Sequence, residues 1–124
     1  MNNHTDQEAI EELLRNYTDG TYRADKNLLQ SVFHEKAVMN GYIGPALIMA
    51  DPTPFIQDIT SSPSMESNND PYHSLVESIR IEGNVATAVV SETGFRGDAV
   101  FVDFFHLIKT DEKWRIISKL FTTL

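Results

Sequence analysis

Cysteine is absent from this chain. Disulfides, thiolate catalysis and cysteine-built metal sites are therefore excluded. Positive charge is scarce: ten Lys and Arg stand against eighteen Asp and Glu, a net charge of −8. That sign repels phosphate backbones, and no basic cluster offsets it locally, so nucleic acid is not an expected partner. No apolar run approaches the roughly 20 residues needed to span a bilayer, so no membrane partner is expected either. The opening stretch, MNNHTDQEAIEE, is polar and acidic, unlike a signal peptide, and points to a soluble, cytoplasmic protein. The four histidines fall in no His-x-His or Glu-x-x-His spacing, so no metal site is expected. There is no glycine-rich phosphate loop and no serine in a nucleophile-elbow context, and nothing calls for a cofactor.

What remains is an ordinary globular composition, 41% hydrophobic and 23% charged over 124 residues, enough for one domain spanning 1–124 with one core. Thr5-x-x-Glu8 has the spacing of a capping box, and Ile10, Leu13, Leu14, Tyr17 and Thr21 follow on one helical face. Asp25 is a natural N-cap for a second, short helix burying Leu28, Leu29, Val32 and Phe33. A strand is expected over Ala37 to Tyr42 and a short one over Ala46 to Met49. Asp51-Pro52 then opens a third helix with Phe55, Ile56 and Ile59 inward. Ser61 to Pro71 is polar and rich in breakers, a mobile loop of the kind that serves as a lid. Four strands follow, Tyr72 to Glu82, Val85 to Thr93, Ala99 to Lys109 and Trp114 to Thr122, joined by tight turns. Arg96-Gly97-Asp98 also spells an adhesion tripeptide, but at a hairpin tip it is read as a turn.

Helices followed by an antiparallel meander make an α+β fold. The strand AVFVDFFHLIK poses a question. One side carries Phe101, Asp103, Phe105 and Leu107; the other carries Val100, Val102, Phe104, His106 and Ile108. A one-sided sheet alternates apolar with polar, so a strand apolar on both sides needs both sides covered. The chain's own helices cover one. A second copy is expected to cover the other, in a two-fold homodimer through Val102, Phe104, His106, Ile108, Ile117 and Phe121. Trp114, Ile116, Ser118 and Leu120 are assigned to the inward row of the last strand.

Two segments, YTDGTYRADKNLLQSVFHEKAV and FVDFFHLIKTDEKWRIISKLF, resemble the putative lumazine-binding family, in the SnoaL-like group of the nuclear transport factor 2-like superfamily. The first carries the helix pair entering Phe-His-x-x-Ala; the second carries Asp-aromatic, Leu-x-Lys and Trp-x-Ile-x-x-Lys. The resemblance implies a cystatin-like cone: a curved, mostly antiparallel sheet with the N-terminal helices in its concave face. It does not imply one reaction, because this fold hosts isomerases, dehydratases, cyclases and non-catalytic binders. Ketosteroid isomerase shares the fold and uses a tyrosine and a protonated aspartic acid beside an aspartate base. Tyr17 and Asp103 match the hydrogen-bonding pair, but Met39-Asn40-Gly41 offers no carboxylate where the base belongs.

Asp103 thus has two readings. Pointing into the cone, burial keeps it a neutral acid that polarises a ligand oxygen with Tyr17; otherwise it anchors structure by accepting hydrogen bonds from Tyr17 or a backbone amide. Tyr42, Phe101 and Phe105 are candidate pocket walls, with Tyr22 and Tyr72 as further aromatics. His73 is the spare base near the mouth. His34 is expected to cap the second helix. The expected function is a homodimer binding an apolar or aromatic small molecule. The alternatives are a lyase or isomerase acting by acid polarisation, and a non-catalytic interaction module.

Overall fold

The computed structural model describes residues 5–124; residues 1–4, the first of the polar opening stretch, lie outside the described residues. Helix α1 spans Asp6–Arg23. Its capping box forms as the spacing demands: the Glu8 amide donates to Thr5 Oγ1 at 3.1 Å and the Thr5 amide to Glu8 Oε1 at 3.2 Å. The buried face is Ile10, Leu13, Leu14, Tyr17, Gly20 and Thr21. Helix α2, Lys26–Val32, is capped by Asp25, which accepts from the Leu28 amide at 3.1 Å. The chain then turns directly into strand β1, Phe33–Ile43. His34 is therefore a strand residue rather than a helix cap, and its Nδ1 accepts from the Lys36 amide at 3.0 Å.

Strand β2 is Ala46–Ala50 and helix α3 is Thr53–Thr60. Pro52 occupies the N-cap position of α3, while Asp51 still serves the helix start by accepting from the Thr53 amide at 2.7 Å. Strands β3 (His73–Glu82), β4 (Val85–Phe95), β5 (Ala99–Thr110) and β6 (Lys113–Thr123) complete one sheet in the order β2-β1-β6-β5-β4-β3. Only β1 and β6 run parallel. The sheet is curved and open, and its concave face packs on the helices around a core of α1, α2, α3, β1 and β4–β6 residues. Among the described residues no helix is long and apolar enough to cross a membrane.

Irregularities interrupt the pairing at Val76/Ser78, Glu92/Phe95 and His106/Leu107. Such bulges bend strands, and they also change which side a residue faces. At the third, His106 pairs with Ser118 and Leu107 with Ile116, so Ile117 is the extra residue. Beyond it the alternation of β6 is inverted relative to Trp114 and Ile116. Lys119 and Phe121 are buried, whereas Leu120 is 53% exposed. This corrects two expectations: Phe121 does not belong to the outer face, and Ser118 and Leu120 do not belong to the inward row. Ile117 itself lies beside His106 and Ile108.

Strand β5 keeps the alternation read from its sequence. Asp103, Phe105 and Leu107 are buried on the concave side, while Phe104 is 46% exposed on the other. The segment 61–71 is anchored on the end of α1. Met65 is buried, the Glu66 amide donates to the Tyr22 carbonyl at 3.0 Å, and Arg23 Nε pairs with Glu66 Oε2 at 3.4 Å.

Gly41 sets the spacing of the parallel pair. A Cβ there would fall 1.9 Å from the Phe121 carbonyl oxygen and 2.9 Å from its ring. Both contacts are with a buried neighbour that has no room to retreat. Gly41→Ala is expected to cost upward of about 3 kcal/mol, read as a lowered denaturant midpoint. A midpoint within error of the parent would contradict the close β1–β6 approach.

Candidate functional site

A cavity of about 510 Å³ opens on the concave side between α1, α3, the β1–β2 pair and the ends of β4–β6. Its apolar walls are Met39, Ile43 and Ile48 on one side, Phe95 and Phe101 on the other, with Phe55 and Phe121. Phe95 and Phe101 meet edge to face at 5.2 Å. Polar lining falls into two zones. The exposed rim has Asp51, Asp58, Arg96 and Asp98; the buried inner zone has Tyr17, Glu92 and Lys119.

The inner zone is assembled from three elements. Tyr17 is on the buried face of α1, 1% exposed. Its ring is held by Phe33 and Phe105 edge-on and by Phe55 in a stack, with centroids 6.1, 5.2 and 6.1 Å away. Glu92 ends the inward row Ala86, Ala88 and Val90 of β4 and is 3% exposed. Its Oε2 accepts a hydrogen bond from the Tyr72 hydroxyl. Lys119 comes from β6, 6% exposed, and its Nζ donates to the Tyr17 hydroxyl. The same nitrogen lies 4.5 Å from the Phe55 ring centre, 4.9 Å from that of Tyr17 and 5.2 Å from that of Phe121. An aromatic cage of this kind stabilises an ammonium that has lost its water.

Asp103 lies behind this zone, fully buried, with Lys119 Nζ 3.9 Å from its Oδ2. As a carboxylate it finds no hydrogen-bond donor for either oxygen. As an acid it has a proton to donate, and the Glu92 carboxyl is within hydrogen-bonding reach. Burial raises its pKa well above the carboxylate range; Lys119 opposes the shift, and Glu92 reinforces it. The protonated form is therefore the one its surroundings satisfy. Burial likewise raises the pKa of Tyr17, so its hydroxyl stays protonated. Tyr72 is raised for the same first reason and then by Glu92.

The expected site residues divide accordingly. Tyr17 and Phe101 line the cavity, and Asp103 faces inward but sits beneath Lys119 and Glu92 rather than in the wall. The direct Tyr17–Asp103 bond gives way to one between Tyr17 and Lys119. Phe105 backs the Tyr17 ring without reaching the cavity. Tyr42 is 48% exposed and alternates with the buried Met39 and Gly41, so it belongs to the outer face. His73 pairs with the exposed Thr93, one place past the inward Glu92, and is not the base of the cavity. None of residues 61–71 lines the cavity; the β4–β5 turn and the end of α3 form that rim instead. There Arg96 Nη1 meets Asp58 Oδ2 at 3.0 Å, and the Arg96 amide donates to Met65 Sδ at 3.1 Å.

Two inner residues escaped the sequence reading. Glu92 was accessible to it, because alternation from Ala86 places a carboxylate on the inward row. Lys119 was hidden by the bulge at Ile117. Among the described residues no group of three His, Asp or Glu side chains converges on a metal position.

The family model described as "Putative lumazine-binding" matches residues 5–122. No curated protein matches the chain. Among solved structures, an NTF2-like protein of unknown function from Shewanella baltica OS155 is similar at 27% identity, covering 99% of this chain and 98% of that one, with a TM-score of 0.82. Another NTF2-like protein of unknown function, from Methylobacillus flagellatus KT, is 27% identical with a TM-score of 0.85 over 96% and 92% of the two chains. A ketosteroid isomerase-like protein from Erwinia carotovora atroseptica SCRI1043 shares the fold at 14% identity, with a TM-score of 0.66 over 94% of each chain.

Asp103 gives a signed pH dependence. Its pKa in the folded chain is above the ordinary value of 3.8, so folding tightens proton binding. That contribution to stability is complete below the ordinary value and is lost as pH rises through the folded one. Asp103→Asn keeps a donor toward Glu92 and removes the titration. Relative to wild type, the variant is expected to gain stability from roughly pH 4 upward, by at most about 1.4 kcal/mol per pH unit. Urea unfolding across that range is the measurement. A difference that stays flat or falls with pH would contradict a protonated Asp103.

Proposed function

The chain belongs to the putative lumazine-binding family of the NTF2-like superfamily, and from that premise we propose a cytoplasmic, homodimeric protein that binds a small apolar or aromatic molecule. One observation carries the reading. A cavity of about 510 Å³ has apolar walls and a compact buried polar group, Tyr17, Glu92 and Lys119, at its inner side. Apolar walls supply affinity without direction, and a few fixed polar atoms supply orientation. The walls suit a flat or fused ring, and Lys119 with Tyr17 suits an oxygen on its edge. The lack of cysteine fits a reducing compartment.

Glu92 favours a second reading, a lyase or isomerase of acid–base type. A carboxylate in the cavity wall beside a protonated Asp103 supplies the proton acceptor that the Asn40–Gly41 region lacks. Glu92→Gln separates the two readings, because it removes a base and keeps the wall's shape.

The binding test is thermal denaturation with flavin-like, polyketide-like and steroid-like compounds. A true ligand at a hundred times its Kd is expected to add about 2.7 kcal/mol of stability. Failure of every class, with a crystal structure in which side chains fill the cavity, would end the reading.

The second copy is assigned to the outer sheet face, with Phe104 and Leu120 paired across β5 and β6 and Val102, His106, Ile108 and Ile117 beside them. Phe104 and Leu120 are 46% and 53% exposed in the single chain, an apolar pair on the two central strands. Sedimentation at micromolar concentration is expected to give twice the mass of one chain, and Phe104→Asp to give monomer or aggregate. A wild-type monomer would exclude the dimer.

A further inference from the structure

Lys119 is the buried member of five lysines, and it alone lines the cavity. Lys26, Lys36 and Lys113 are exposed and Lys109 is tied to Asp6 at 3.0 Å. A buried ammonium whose purpose was only to neutralise a carboxylate would sit in bonding contact with it. Here Nζ stands 3.9 Å from Asp103 Oδ2, bonds to a neutral hydroxyl, and is surrounded by three aromatic rings on the cavity side. We propose that Lys119 is a covalent capture point, forming an imine with an aromatic or alicyclic aldehyde or ketone held in the cavity. The inference rests on the binding reading and names the ligand's class.

The neighbours select a neutral carbonyl over an anion. A carboxylate or phosphate approaching Lys119 also approaches Glu92, and Asp51, Asp58 and Asp98 stand on the rim. A ketone or aldehyde meets no such repulsion, and its oxygen can accept from the Tyr17 hydroxyl. Protons have a route as well. Glu92, the carboxylate that lines the cavity with Lys119, takes one from the ammonium. The free amine attacks the carbonyl carbon; the C–N bond forms as the C–O π bond breaks, and Glu92 protonates the oxygen. Loss of that oxygen as water leaves a protonated imine. Water has carried off two of the ammonium's three protons, the iminium keeps the third and the positive charge, and Asp103 and Glu92 end as they began. No oxidant or reductant is needed.

The test uses the intact chain with naphthaldehyde and sodium cyanoborohydride, read by whole-protein mass and peptide mapping. The expected result is one naphthylmethyl group on Lys119, added at least about ten-fold faster than on any other lysine. Lys119→Arg keeps the charge and is expected to lose that addition. Glu92→Gln is expected to slow labelling of Lys119, while naphthol, the same ring without a carbonyl, raises the melting temperature of the wild-type protein. Labelling confined to the exposed lysines, with naphthol still stabilising the protein, would overturn the imine and leave the binding reading standing. If naphthol, naphthaldehyde and the wider compound set all leave the melting temperature unchanged and Lys119 unlabelled, both fall. Equal labelling rates in wild type and Glu92→Gln would remove Glu92 from the proton route.

Discussion

One extra residue in β6 decides what meets inside this sheet. With regular pairing through Ile117, Leu120 would face the cone, and Lys119 and Phe121 would face outward. The bulge reverses them, putting an ammonium and an aromatic ring beneath the helices and leaving a leucine outside. Asp103 would then have no cation near it, and the Phe121 ring could not lie against Gly41. A bulge costs ladder hydrogen bonds and strains a strand. Its return is the cation of the cavity's polar interior, Lys119.

That interior is balanced by protonation rather than by pairing alone. Two carboxyls, an ammonium and two phenols share a small dry volume. One full negative charge too many in such a place costs several kcal/mol. Keeping Asp103 neutral removes that charge, leaves Glu92 opposite Lys119 in sign, and turns a repulsive pair of acids into a donor and an acceptor. The phenols hold the arrangement from both ends, Tyr17 on the lysine and Tyr72 on the glutamate. Every member touches a different element, so the cluster also registers α1 against β4, β5 and β6.

Local chemistry made much of the fold legible. The Thr5–Glu8 box and the Asp25 cap are short-range signals, and both helices begin where they say. The two-faced apolar character of β5 is a property of one strand, and its faces were correctly divided. Errors arose where a side chain's direction depends on a partner strand. Lys119, Leu120 and Phe121 follow from pairing with β5, which no spacing in β6 reveals. Tyr42 and His73 are aromatic and polar residues near strand ends, where a one-place shift moves a side chain across the sheet. His34 was misplaced because α2 passes into β1 without a loop. Glu92 is a different case: the alternation from Ala86 by itself places an inward carboxylate near the end of β4.

Arg96 bears on how stiff the mouth of the hollow is. From one position it grips the end of α3 through Asp58 and the segment 61–71 through Met65. The β4–β5 turn and the end of α3 are thereby riveted along one margin of the opening, and the segment 61–71, outside the lining, is tied to them. Across the cavity lies β2, one of the sheet's two edge strands, with a hydrogen-bonded neighbour on one side alone. Stiffness is unevenly distributed around the mouth, and the β1–β2 ribbon, with Ile43 and Ile48 on it, is the side held by fewer ties.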